Sequence, residues 1–164
     1  MTPTLRPETP ADRDAIRALT ARAFAPMPFA DGNDQHIPGR LRDVGALTLS
    51  TVAEVEGTLV GHIALSPATV GGAAGWLALG PISVAPERQR QGIGAALMRH
   101  AIDHARAQGA PGLVLVGDPA YYGRFGFASH PGVTWRDLPP HLVMALPLGG
   151  TPARGEVAFH PAFG

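Results

Sequence analysis

The middle of the chain holds an apolar run, an amphipathic helix and a second apolar run in direct succession. Trp76 to Val84 is the first run, a helix is predicted from about Gly92 to Gln108, and Leu113 to Val116 is the second run. Gly109 follows the helix as a C-terminal cap. Two strands joined in this way lie parallel in one sheet, because the helical crossover returns the chain to the same end of the sheet. The predicted buried face of the helix consists of Leu97, Met98, Ala101, Ile102 and Ala105.

The residues before this unit predict antiparallel strands and one helix. Leu5 to Pro7 is a short strand, and a helix is predicted to begin after Thr9 as N-cap. Leu47 to Glu54 and Leu59 to Leu65 read as a hairpin, with Gly57 able to adopt the positive φ of its turn. The predicted inward face of the helix consists of Ala15, Ile16, Leu19 and Ala23.

The remaining segments have weaker patterns. Pro26 to Arg40 lacks periodicity and predicts a loop, with a short helix from Gly39 to Val44, and Pro119 to Arg124 predicts another short helix. Leu142 to Leu146 and Glu156 to His160 predict a final hairpin. The expected fold is an α/β mixed sheet whose antiparallel N-terminal half precedes one β-α-β unit, in a single domain over residues 1–164.

Composition excludes several classes of function. The 13 basic residues are all Arg and balance 13 acidic residues, so no basic excess indicates nucleic-acid binding. The absence of Cys and Lys excludes disulfides, thiolate chemistry and lysine catalysis. His100 and His104 have the spacing of metal ligands, but no third ligand accompanies them, and a solvated helix flank is the expected alternative. With no signal peptide and no apolar run long enough for a membrane span, the chain is expected to be cytoplasmic.

A glycine pair at the start of the central helix is the main candidate for a binding site. Gln89-Arg90-Gln91-Gly92-Ile93-Gly94 leads from an Arg-rich turn into the helix. Unpaired amides and the helix dipole make such a terminus an anion site, and glycine lets a phosphate approach the backbone. The alternative, that the glycines only start a helix under tight packing, stays open on these residues alone. A Walker loop would need Lys, and a dinucleotide fingerprint would need a third glycine where Leu97 stands.

The segment resembles the acetyl-coenzyme A loop of the GNAT superfamily, whose signature is Gln/Arg-x-x-Gly-x-Gly/Ala. Ile82 to Arg88 is similar to the fourth strand of that family and its exit, and Tyr122 to Phe127 resembles its Tyr-x-x-x-Gly-Phe element. Gly117 to Tyr122 and His160 to Phe163 look like a YhbS-type subgroup of small bacterial members. The resemblance implies a sheet with splayed fourth and fifth strands. Pro81, within the run from Trp76 to Val84, gives a physical reason for such a separation of the strands.

The resemblance also implies roles for individual residues, with acetyl-CoA as co-substrate and no metal. Backbone groups of Ile82, Ser83 and Val84 would bind the thioester and the pantetheine arm. Tyr122 would be the general acid that protonates the departing thiolate; the alternative is that Tyr121 and Tyr122 are packing aromatics. The amides expected to hold the diphosphate are those of Gln89, Arg90, Gln91, Gly92, Ile93, Gly94 and Ala95.

The acceptor and the general base are not identified by any motif. Many GNAT relatives carry an Asn after the fifth strand or a Glu on the fourth, and neither is present, which leaves His62, Asp118 or ordered water as base. A small-molecule or peptide amine is the expected acceptor, lying between residues 26–40 and the tail after Pro131, and the chain is expected to be a monomer or homodimer. The alternative is a non-catalytic acyl-CoA-binding sensor or adaptor.

Overall fold

The protein is described by a computed structural model over residues 2–27 and 31–164. Its helices are α1 (Arg13–Phe24), α2 (Ile37–Asp43), α3 (Ile93–Ala107) and α4 (Pro119–Tyr122). Its strands are β1 (Thr4–Pro7), β2 (Leu49–Val55), β3 (Thr58–Val70), β4 (Ala73–Val84), β5 (Gly112–Val116), β6 (Val143–Pro147) and β7 (Val157–Phe159).

Within these described residues the strands form one sheet in the order β1-β2-β3-β4-β5-β6, with β7 added beside β3. All neighbours are antiparallel except β4 and β5, which lie parallel on either side of the α3 crossover. The predicted mixed sheet and the predicted β-α-β unit are confirmed. The β2–β3 turn is also as predicted: Glu56 and Gly57 both have positive φ, the two-residue turn that fits the twist of a hairpin.

Helices α1 and α3 cover opposite faces of the sheet. A Cβ built on Gly61 of β3 would lie 3.0 Å from side-chain atoms of both Ile93 and Leu97, so α3 packs directly on the backbone of this strand. On the other face, Ser83 of β4 donates a hydrogen bond to Thr20 of α1 at 3.3 Å. The predicted apolar face of α3 is buried, as expected from its helical spacing.

A capping box begins the 3-10 turn Pro10–Asp12, which leads directly into α1. The Thr9 amide and hydroxyl bond Asp12, whose carboxylate also pairs with Arg6 at 2.7 Å. These bonds hold the pKa of Asp12 well below its usual range. The prediction for the inward face of α1 was wrong at Ala15, which is exposed, and Thr20 is buried in addition to the three other predicted residues.

Two predicted segments differ from the structure. The Pro26–Arg40 prediction lies partly outside the described residues, at 28–30; the described part contains a turn of 3-10 helix and the start of α2, which begins two residues before Gly39. The prediction of a final hairpin was wrong, because β6 pairs with β5 and β7 pairs with β3. β3 continues to Val70, beyond the end of its pairing with β2, and so offers β7 a free edge.

No helix in residues 2–27 and 31–164 combines the length and the apolar character needed to cross a lipid bilayer.

Candidate active site

β4 and β5 diverge after a short paired stretch, which opens a gap at one side of the sheet. Their parallel pairing covers Leu77 with Leu113 and Ala78 with Val114. Beyond it, the β3–β4 register shifts between Leu79 and Ile82, where Gly80 and Pro81 stand. Proline has no N–H to continue a ladder, so the pairing with β3 is interrupted here, although β4 itself continues to Val84. The predicted splay of the fourth and fifth strands is therefore confirmed.

The pairing with β3 decides which peptide groups of β4 face this gap. The Ala85 N–H bonds the Val60 carbonyl at 2.8 Å, so Ala85 is a hydrogen-bonded partner of β3, and in an antiparallel ladder every second residue shares that role. The peptide groups of Val84 and Ile82 consequently point away from β3 and into the gap. The Gln89 side-chain amide already bonds the Val84 carbonyl there, at 3.2 Å.

Ser83 takes a different place from the one that the sequence predicts. It lies opposite His62 in the β3–β4 register, in step with Ala85, so its peptide groups belong to the pairing with β3. Its side chain is buried beside Thr20 on the α1 face. Of the three predicted residues on this strand, Ile82 and Val84 present backbone to the gap.

The α3 N-terminus lies at the end of β4 and carries unpaired amides. Gly92 has φ +86°, and no side chain of the described residues caps the helix. The first backbone bond of α3 runs from the Ala96 N–H to the Gly92 carbonyl. Arg90 also has a positive φ, of 64°. In the part of the chain that the structure describes, the amides from Arg90 to Ala95 have no hydrogen-bond acceptor. Together with the helix dipole, these amides form a surface that suits an anion.

Tyr122 lies against the carboxyl end of β5, on the opposite wall of the gap. A Cβ built on Gly117 would lie 2.3 Å from the Tyr122 ring, and the centroid of the Phe127 ring is 6.3 Å from that of Tyr122. Burial raises the pKa of Tyr122 to about 12, with smaller contributions from Tyr121 and Asp118, so the hydroxyl is protonated at neutral pH.

Tyr121 points elsewhere and reaches the first turn of α3. Its hydroxyl oxygen lies 2.6 Å from the position of a Cβ built on Gly94, so this glycine leaves room for the phenol. The Tyr121 ring packs against Phe125 four residues later, at 5.6 Å between centroids. No sequence motif identifies this position of Tyr121. The four-residue spacing between Tyr121 and Phe125 is the signal that predicts a shared face for the two aromatic rings.

His62 and Asp118, the two side chains that the sequence offers as general base, both make hydrogen bonds within the fold. His62 is fully buried, its Nε2 lies 2.7 Å from the Ser50 hydroxyl, and burial lowers its pKa to about 4. Asp118 caps α4 by accepting a bond from the Ala120 amide at 3.0 Å. These contacts leave neither His62 nor Asp118 as a free base in the gap between β4 and β5.

The His100 and His104 pair is half-buried, so the expectation of a solvated helix flank was wrong. His100 Nε2 lies 3.1 Å from the Thr51 hydroxyl of β2. Among residues 2–27 and 31–164, no three His, Cys, Asp or Glu side chains come together as metal ligands would.

Comparison with known proteins gives relatives over most of the chain. Residues 14–127 match the model of the acetyltransferase (GNAT) family. The uncharacterized N-acetyltransferase YhbS of Escherichia coli K12 is 34% identical over 125 residues, which are 75% of this chain and 72% of that protein. A GNAT family acetyltransferase from Brucella melitensis, solved in complex with acetyl-CoA, is 41% identical with a TM-score of 0.87 and covers 99% of both chains. The structure of Escherichia coli YhbS in complex with CoA is 30% identical with a TM-score of 0.87, covering 98% of this chain and 91% of that one.

Proposed function

The chain belongs to the GNAT acetyltransferase family, and from that premise we propose that it transfers the acetyl group of acetyl-CoA to a primary amine by direct attack. One observation carries the proposal. The gap between β4 and β5 runs from exposed strand backbone to the unpaired amides of the α3 N-terminus. An extended arm that ends in a diphosphate fits such a groove, with the arm along β4 and the phosphates at the helix.

Acetyl-CoA is the co-substrate in this proposal, supported by the acetyl-CoA and CoA complexes of the two solved relatives. Ile82 and Val84 would bond the pantetheine arm and the thioester carbonyl with the peptide groups that point away from β3. Gly92 and Gly94 would let the diphosphate reach the amides of the loop from Gln89 to Ala95. The Gln89 side chain would first have to release the Val84 carbonyl, at a cost of one hydrogen bond.

Tyr122 is the proposed general acid. Acetyl-CoA supplies an activated acyl group whose carbon–sulfur bond breaks once the amine nitrogen has bonded to the carbonyl carbon. The Tyr122 hydroxyl would pass its proton to the sulfur as that bond breaks and recover a proton from solvent. With a pKa of about 12 against a thiol near 8.5, full transfer is uphill. The hydroxyl therefore acts only while it is held close to the developing charge.

Ordered water is the proposed acceptor of the proton that the amine loses, since His62 and Asp118 are engaged elsewhere. The acceptor of the acetyl group is proposed to be the amine of a small molecule or peptide. This amine would enter between the α1–α2 segment and the C-terminal residues. We retain three further proposals from the sequence: one domain over residues 1–164, a cytoplasmic location, and a monomer or homodimer. Cell fractionation tests the location, and light scattering tests the oligomeric state.

A binding and turnover experiment tests the proposed function. Acetyl-CoA at one hundred times its Kd should stabilise the native protein by about 2.7 kcal/mol and raise its Tm, with smaller shifts from NAD and ATP at equal concentration. A panel of amines, polyamines, amino acids and peptides should then release free CoA thiol with the matching acetylated product. Equal Tm shifts for all three nucleotides would contradict a specific CoA site. Acetyl-CoA binding without turnover of any amine would favour the sensor alternative.

A further inference from the structure

Tyr121 and Phe125 form an aromatic ridge along the outer side of α3. At one end, the Tyr121 hydroxyl lies beside Gly94 in the first turn of the helix. At the other end, the Phe125 ring faces Arg99, whose guanidinium carbon is 5.9 Å from the ring centroid. Five residues of helix separate Gly94 from Arg99, a rise of about 7.5 Å. The ridge therefore extends outward from the unpaired amides at the helix N-terminus.

Two arginines lie on this ridge. The Arg124 guanidinium carbon is 4.6 Å from the centroid of Tyr121 and 5.4 Å from that of Phe125, while Arg99 approaches Phe125 from α3. Stacking on an aromatic face holds a guanidinium in place and leaves its edge N–H groups pointing outward. Arg124 Nε donates to the Tyr121 carbonyl at 3.3 Å, which fixes this guanidinium further and leaves its two terminal NH2 groups to donate to a ligand. Both side chains are exposed, and neither forms an ion pair with a carboxylate among the described residues.

Two more arginines, Arg88 and Arg90, precede the helix, and neither forms an ion pair with a carboxylate in residues 2–27 and 31–164. Glu87, the carboxylate between them and β4, is bonded to Arg22 of α1 at 2.6 Å. The whole chain carries no net charge, so a local excess of unpaired positive charge at this end of α3 is not a consequence of composition. It implies a ligand with more than one anionic group.

We propose that Arg99 and Arg124, held on the aromatic ridge, bind the 3′-phosphate at the nucleotide end of CoA. The proposal rests on the proposed function, because it requires the diphosphate to lie at the α3 amides. One ribose links that diphosphate to the 3′-phosphate, and the ridge begins beside the same amides, at the Tyr121 hydroxyl next to Gly94. A phosphate monoester carries about −1.5 to −2 charges at pH 7, and arginine forks match its oxygens in bidentate pairs.

This outer subsite determines which acyl donors the protein accepts. The 3′-phosphate is present in CoA, absent from 3′-dephospho-CoA, and absent from a phosphopantetheine arm on a carrier protein. Arg99 and Arg124 consequently select free acyl-CoA over acyl groups carried on a protein.

Calorimetric titration of the wild type and of the variants Arg124→Gln and Arg99→Gln with CoA and 3′-dephospho-CoA tests the subsite. The wild type should bind CoA roughly 10-fold more tightly, the scale of one hydrogen bond to a charged group. Each variant should lose most of that preference by binding CoA more weakly, while its Kd for 3′-dephospho-CoA stays near the wild-type value. Arg106→Gln is the matched control, because it removes an exposed positive charge farther along α3, and it should keep the preference.

The outcomes separate this proposal from the proposed function. Equal wild-type affinities for CoA and 3′-dephospho-CoA would overturn the subsite and leave the CoA site intact. An equal loss of affinity for CoA and for 3′-dephospho-CoA in the Arg124 and Arg99 variants would also overturn the subsite. The arginines would then act on the diphosphate or on the fold. Failure of the wild type to bind either ligand would overturn the proposed function itself.

Discussion

Two polar regions of the molecule differ in how their charges are paired. On the β1–β3 side, Arg42 makes two hydrogen bonds to Glu8 at 2.8 and 2.9 Å, and Ser50 joins Glu8 to His62. On the α3 side, Arg99 and Arg124 stack on aromatic rings, and among residues 2–27 and 31–164 neither forms an ion pair with a carboxylate. Arg124 Nε also donates a hydrogen bond to the Tyr121 carbonyl at 3.3 Å. The first region holds β1, β2, β3 and α2 together, and its ionic partners are supplied by the chain itself.

The protonation of the paired region follows from its bonds. Ser50 has one proton and donates it to the Glu8 carboxylate, so His62 Nε2 must carry the proton that bonds the Ser50 oxygen. His62 is neutral at pH 7 because burial lowers its pKa to about 4, so its buried Nδ1 carries no proton, and this nitrogen has no partner among the described residues. The comparison teaches that charges which are paired within the fold serve stability, whereas those left unpaired beside free amides are available to a ligand. Three predictions test this distinction.

The largest expected effect is on the rate, at the gap. Tyr122→Phe should lower kcat by about 10²–10⁴-fold, the usual cost of losing a positioned general acid, and should leave acetyl-CoA affinity within a few-fold. Tyr121→Phe is the matched control and should keep kcat, because its hydroxyl faces Gly94 rather than β5. Since the pKa of Tyr122 is about 12, no loss of rate from its ionisation is expected up to pH 10.

The measurement needs a saturating amine and pre-steady-state kinetics, which show whether chemistry limits turnover. Full rate in both variants under limiting chemistry would mean that solvent protonates the thiolate. A loss confined to Tyr121→Phe would assign the acid to the neighbouring tyrosine.

The next effect is on stability, in the paired region. Burial lowers the pKa of His62 from 6.5 to about 4, so between these values the unfolded chain binds more protons than the folded one. Stability from this group is complete above pH 6.5 and decreases as the pH falls, by about 2 kcal/mol at pH 5. Urea unfolding of the wild type at pH 7, 6 and 5 should show this loss.

His62→Gln should flatten the pH dependence, whereas His141→Gln, at an exposed position, should not. The folded His62→Gln protein should also keep its affinity for CoA, because the paired region is separate from the α3 amides. A wild-type slope that survives in His62→Gln would place the titrating group elsewhere.

The sequence predicted the parts of the fold whose signals are local. Gly57 selects the hairpin turn, the spacing of Leu97 and its neighbours places α3, and Pro81 marks the register shift between β3 and β4. The final hairpin was wrong because β7 pairs with a free edge of β3 that is distant in sequence. The length of β3 sets that edge, and no pattern in the tail reveals it.

The candidate site also has parts that local motifs predict and parts that only the fold brings together. The loop from Gln89 to Ala95 and the opposed position of Tyr122 follow from short motifs. The ridge brings Arg99 and Arg124 to one surface although they are far apart in sequence, so no spacing rule connects them. Ser83 was placed with Ile82 and Val84 because sequence alone does not define which residues of a strand bond the next strand.

The smallest expected effect is on affinity, at Gly94, and it decides between the two interpretations of the glycine pair. Gly94 has helical backbone within α3, where alanine is intrinsically favoured over glycine by roughly 0.5–1 kcal/mol. If the position serves an anion, Gly94→Ala should keep or raise stability and weaken CoA binding by roughly 10-fold, through loss of contacts to the free amides.

A new Cβ would also meet the Tyr121 hydroxyl at 2.6 Å, so the phenol must move. The double variant Gly94→Ala/Tyr121→Phe removes that clash. We expect its affinity to stay low, because the Cβ itself covers the amides; recovered affinity would instead assign the loss to the displaced Tyr121. A Gly94→Ala protein that loses stability but binds CoA as tightly as the wild type would show that the glycine serves packing alone, and the contrast between paired and unpaired regions would fail at its central residue.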